Sequence, residues 1–177
     1  MFTPFIRIVL VIGCIVMAIF FYSEQDYQNL ILVLLAAFLF IYGYFKYGTV
    51  YTAFRQLKKG NFKKAEELIT KTKNPDKLSK GQKSYYHFTK GIIASEKKEW
   101  EDSFSELTKA LNIGLRTQND TSIVLLNLAN IEFERENFDN AMEFIVKGNK
   151  YELKPLVKTE MNKLMEKING AQQDIKK

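Results

Sequence analysis

The chain is expected to be all-α, with an N-terminal two-helix transmembrane hairpin (residues 1–46), stacked helix pairs (47–153) and a C-terminal capping helix and tail (154–177). Three observations predict this. Two long apolar runs fill the first 46 residues and are parted by a short polar connector. Three similar polar turns follow, and their aromatic residues Phe62, Trp100 and Phe138 recur with a period of 38. A fixed period of this size marks a stacked helical array rather than one irregular globule. Finally, Val157, Met161, Leu164, Met165 and Ile168 give the C-terminal stretch one apolar face after Pro155, which suits the first turn of a helix.

Taken in order, residues 5–22 read FIRIVLVIGCIVMAIFFY, with Arg7 as the only charge. At about 1.5 Å per residue this run approaches the thickness of a bilayer core. No small-x-small cleavage site follows it, so an anchor is expected rather than a cleaved signal peptide. Residues 30–45 form the second run, uncharged, with Tyr42, Tyr44 and Tyr47 where an interfacial aromatic belt belongs. The connector carries no Lys or Arg. Arg7, Lys46, Arg55, Lys58, Lys59, Lys63 and Lys64 flank the runs on the other side. Positive residues stay cytoplasmic, which puts both termini and the repeats in the cytoplasm. Gly13, Cys14, Ala18, Ala36, Ala37 and Gly43 are small enough to let two helices approach closely. The second run is expected to continue into the first repeat helix, with Gly48 as the one soft point.

Each repeat reads as helix, short turn, helix. Ala53, Gly91 and Ala129 supply a small residue in the first helix of each pair, and Ala65, Ser103 and Ala141 supply one where the helices cross. With the aromatics at Phe62, Trp100 and Phe138, these positions resemble the tetratricopeptide repeat. The period exceeds that family's basic unit by about four residues, an excess expected in the loops at 73–83 and 112–121. Pro75 and Pro155 stand near the family's closing proline position without occupying it. Thr49, His87 and Leu125 stand where an aromatic residue of the first helix belongs.

The resemblance implies binding of a protein or peptide partner on the concave surface lined by the first helices. By position that groove draws on Tyr51 and Phe54, then Tyr85, Phe88 and Ile92, then Asn127, Asn130 and Phe133. Members that clamp a C-terminal carboxylate need basic or amide side chains where Val50, Phe54 and Ile123 stand, so no such clamp is expected. The apolar groove instead suits a hydrophobic or helical segment.

Composition narrows the chemistry. The net charge is +6, and the part from Lys46 onward carries a net +7. Its lysines read as scattered solvent faces, so no nucleic-acid partner is expected, and attraction to an acidic membrane surface is the runner-up. One cysteine and one histidine leave no multi-cysteine metal site, and no nucleotide, zinc or nucleophile motif occurs. No catalytic residue, metal or cofactor is expected. His87 is expected to pack in or near the core, and the sequon at Asn119-Asp120-Thr121 to be incidental on the cytoplasmic side. The expected function is a non-enzymatic, membrane-anchored adaptor in a bacterial plasma membrane, with a structural subunit of a larger membrane complex as the alternative.

Overall fold

A computed structural model describes the backbone of residues 4–47 and 49–175, and the side chains of 9–42 and 49–173. Among the described residues the chain is all-helical, with nine α-helices, one short 3-10 turn and no strand. It divides into two compact units, Met1–Gly48 and Thr49–Lys177.

The first unit is a helical hairpin of α1 (Pro4–Ser23) and α2 (Tyr27–Tyr47) packed on one another. Its turn is tighter than the seven-residue connector expected. Gln25 adopts a left-handed φ of 58°, and the Asp26 N–H returns to the Phe21 carbonyl at 3.0 Å. Asp26 then caps α2 by accepting the Asn29 N–H at 3.2 Å. Cys14, Ala18, Ala36 and Ala37 are half-buried, whereas Gly13 is exposed and a Cβ added there would touch nothing. Gly13 therefore plays no part in the close approach. Large apolar side chains are exposed around both helices, among them Ile12, Val16, Ile19, Ile31, Leu35 and Phe38. The hairpin forms as expected, but its expected membrane spans are not supported, since among the described residues no helix is long and apolar enough to cross a membrane. The expected continuity between α2 and the next helix turns on Gly48, which lies outside the described residues.

The second unit pairs α3 (Val50–Lys58) with α4 (Phe62–Thr70), α5 (Lys80–Glu96) with α6 (Trp100–Ile113) and α7 (Gln118–Glu134) with α8 (Phe138–Gly148). α3 also packs on α5, α6 on α7, and α9 (Pro155–Ile175) on both α7 and α8. α9 buries Val157, Met161, Leu164 and Ile168, the face expected of a cap. Gly170, a residue that could be expected to end this helix, lies inside it, since one glycine within a packed helix costs only about 1 kcal/mol.

The period of 38 is a repeat of geometry as well as sequence. Gly60, Lys98 and Glu136 all adopt left-handed φ values, of 77°, 62° and 61°. The residue after each lies near φ −86°, −80° and −86°, and its N–H returns to the carbonyl five residues back: Asn61 to Gln56, Glu99 to Ala94, Asn137 to Glu132. This left-handed cap satisfies carbonyls that the ending helix leaves open, and the aromatic residue then starts the next helix. The capping residues Ser79 and Thr117, which open α5 and α7, also stand 38 apart. Ser79 and Gln82 form a reciprocal capping box, while the Thr117 side chain accepts the Asp120 N–H.

The expected loops are met in one place and corrected in the other: residues 71–79, with a 3-10 turn at Pro75–Lys77, part α4 from α5 as expected near 73–83, whereas only 114–117 part α6 from α7, so most of 112–121 is helix.

Where α5 crosses α6, Ser103 Oγ donates to the Gly91 carbonyl at 2.8 Å. A Cβ on Gly91 would stand 2.6 Å from the Leu107 side chain, so the second pair needs glycine there. The matching Ala53 and Ala129 fit with no exposed surface.

Candidate binding surface

Of the eight side chains expected to line a groove, three are core. Phe54, Tyr85 and Phe88 are buried, with ring centroids 4.6 Å apart for Phe54–Tyr85 and 5.3 Å for Phe54–Phe88. They form the joint between α3 and α5. Aromatic rings at this separation favour one another, which leaves them to the chain's own core rather than to a partner. Tyr51 leans on the same joint, 5.6 Å from the Tyr85 ring.

The other four stand on α5 and α7. Ile92 is half-buried, and Phe133 packs on Phe138 at 5.7 Å. Asn127 and Asn130 donate their amides back to the Ile123 and Leu126 carbonyls of their own helix, at 2.8 and 3.0 Å. Their amide oxygens remain to accept. Ile123, considered above only as a position of the absent clamp, and Leu126, which the positional reasoning passed over, are half-buried at helical spacing beside them. The accessible face of α7 is thus Ile123, Leu126, Asn127 and Asn130: two apolar side chains and two amides.

Two polar clusters brace this surface. Beneath it, Tyr85 donates its hydroxyl to Asp120 Oδ2 at 2.6 Å, with both residues buried. Lys58 Nζ lies 3.4 Å from the other Asp120 oxygen and 4.5 Å from the Phe54 ring centroid. Burial, then the hydrogen bond to Asp120, pushes the Tyr85 hydroxyl well above its ordinary pKa. Asp120 was legible only as the middle of an incidental sequon, since nothing local marks an aspartate that α7's first turn will carry under a tyrosine 35 residues earlier.

On the α5–α6 side, Glu106 accepts from His87 at 2.7 Å and from Lys109 at 3.1 Å, with Lys90 at 3.6 Å. Burial alone would raise its carboxyl, but the His87 and Lys109 hydrogen bonds and the Lys90 charge outweigh it and hold the group at about 2. His87 is therefore half-buried in an ionic cluster. The cluster borders a cleft of about 270 Å³ between α4, α5 and α6, to which Glu66 and Lys97 contribute a further ion pair. Glu132 closes the third turn by accepting from Arg135, Asn137 and Asn140, which hold its carboxyl below its ordinary range against the effect of burial.

Among the described residues no group of three or more His, Cys, Asp or Glu could hold a metal ion. No protein-family model, curated protein or solved structure matches this chain.

Proposed function

We propose that the chain is a non-enzymatic adaptor of the tetratricopeptide type. Its hairpin anchors it in a bacterial plasma membrane, and its repeats hold a protein or peptide partner at the cytoplasmic face. The observation that carries this reading is the pairing, in one chain, of a hairpin with apolar side chains facing outward all round and helix pairs repeated at a period of 38. A helix apolar on every side needs apolar surroundings. A repeat array offers an extended surface to a partner.

The partner surface follows the accessible side chains: Ile92, Ile123, Leu126, Asn127 and Asn130 accept an apolar, partly helical segment, with the amide oxygens fixing its polar edge. A second reading rests on the half-buried Cys14, Ala18 and Ala37 of the hairpin. In that reading the hairpin makes the main contacts in a larger membrane complex and the repeats brace it.

Photo-crosslinking in native membranes tests both. A reactive residue replaces Ile92 or Asn130, with exposed Lys97 as the control position. The adaptor reading expects one discrete adduct from the groove and none from Lys97. Adducts to the chain itself alone, or no groove adduct, would shift the role to the hairpin. In that case, exchanging the hairpin for an unrelated two-span anchor abolishes function.

A further inference from the structure

The positive charge of the repeats is not evenly scattered. Residues 55–83 carry ten Lys or Arg against three Asp or Glu, a net of +7, whereas residues 84–177 carry fourteen against fifteen, a net of −1. The whole excess therefore lies in the first helix pair and the segment leading to α5, beginning eight residues after α2 ends.

Two of the ten are engaged, Lys58 with Asp120 and Lys83 with Asp76. The other eight (Arg55, Lys59, Lys63, Lys64, Lys71, Lys73, Lys77 and Lys80) are exposed and form no ion pair with any described residue. On α4 the exposed stripe is Lys63, Lys64, Glu67, Thr70 and Lys71, with no aromatic side chain in it.

The placement also runs against what the helix itself favours. The two positions after the opening aromatic are Glu101 and Asp102 in α6, and Asp139 and Asn140 in α8. Acids there complement the positive end of the helix dipole. α4 has Lys63 and Lys64 instead, and no acid in its first turn. Helix stability does not account for lysines at that end, but attraction to an external anion does.

We propose that this face of the first helix pair contacts anionic phospholipid headgroups. Lysine clusters directly following a membrane helix gain from the negative surface potential of a bilayer. A nucleic acid would meet the same charge. The sequence continuity with the apolar hairpin, and a stripe without the aromatics on which bases stack, favour lipid. The proposal rests on the membrane reading above, and its test separates the two.

The full chain is reconstituted in vesicles of phosphatidylcholine, alone or mixed with phosphatidylglycerol, and lysine acylation rates are read by mass spectrometry. Retention after an alkaline wash of neutral vesicles reports the anchor. Lys59, Lys63, Lys64 and Lys71 are expected to react several-fold more slowly in the anionic vesicles, with the difference erased by high salt. Lys150 and Lys163 should not change. Lys63→Glu with Lys64→Glu should remove the protection at Lys59 and Lys71. Equal rates in both vesicles, with the chain retained, overturn the lipid contact and leave the anchor standing. Loss of the chain in the alkaline wash overturns the anchor itself. Protection at the same lysines by duplex DNA, with none from anionic lipid, would overturn the proposal in favour of nucleic acid.

Discussion

The hairpin and the repeats draw on the same aliphatic residues and put them in opposite places. In α1, Ile19 is 67% exposed, while in α7 Ile131 is wholly buried. The difference lies in composition and in what each helix packs on: α1 and α2 are far more apolar than any repeat helix. Apolar residues surround α1 and α2, so no rotation of either helix hides them in a two-helix unit. In α7 they fall on the face that packs on α6, α8 and α9, and Asn127 and Asn130 take the other side. The chain thus joins a pair of helices with apolar side chains exposed around them to helices that bury their apolar side chains on one another.

The contrast breaks most visibly when a buried aliphatic is cut back in each region. Leu128 is fully buried between helices. Leu128→Ala is expected to cost the repeat unit about 2–5 kcal/mol, for lost burial and the cavity left behind. Ile19→Ala should leave that unit's stability unchanged. Trp100 is the chain's one tryptophan and packs against the repeat core, so its fluorescence during urea unfolding follows that unit alone. A comparable loss for Ile19→Ala would mean that the two units unfold as one and that the contrast is false.

How far the sequence could be read follows the same division. The period, the three turns, the crossing residues and the cap are set by local patterns, and they appear in the structure where the residues put them. The groove was only half legible. Phe54, Tyr85 and Phe88 hold positions that would line a concave face, but three large rings on adjoining helices gain more by closing the α3–α5 joint than by facing water. Which of these outcomes holds is decided by the volumes of neighbours in another repeat, and a position within one repeat carries no such information. Asp120 and Tyr85 are joined across 35 residues for the same reason. The concentration of charge in residues 55–83 was countable from the start. It was hidden because each helix, taken alone, reads as an ordinary solvated face.

A smaller effect sharpens the picture of the α5–α6 joint. The Glu106 carboxyl sits at about 2 in the folded chain, against 4.5 for the unperturbed group. Since the folded value is the lower, the ionised carboxylate adds stability that is fully present above about pH 4.5. It is lost as pH falls from there towards 2. Its side chain is only 12% exposed, so screening removes little of this. Glu106→Gln should cost on the order of 1–3 kcal/mol at neutral pH. It should also flatten the decline in unfolding midpoint between pH 4.5 and 2 relative to the parent chain. An unchanged acid limb would show that other carboxylates, such as Glu132, carry the acid sensitivity.

The smallest effect tests whether the three turns are equivalent. Gly60 takes its left-handed φ without strain, while Lys98 and Glu136 adopt the same conformation with a Cβ, at a cost of about 1–2 kcal/mol each. Both side chains are exposed and form no ion pair with a described residue, so little is lost by removing them. Glycine also makes the unfolded chain freer, which takes back about 0.4–1 kcal/mol. Lys98→Gly and Glu136→Gly should therefore each stabilise the repeat unit by about 0.5 kcal/mol, raising the urea midpoint with no change in slope. Gly60→Ala should lower it by about 1 kcal/mol, although a Cβ there would touch nothing, because the backbone conformation alone opposes it. If the lysine and glutamate variants lose stability instead, those side chains contribute something at their turns that Gly60 does not supply. The period of 38 would then be a likeness of backbone geometry over three energetically different joints.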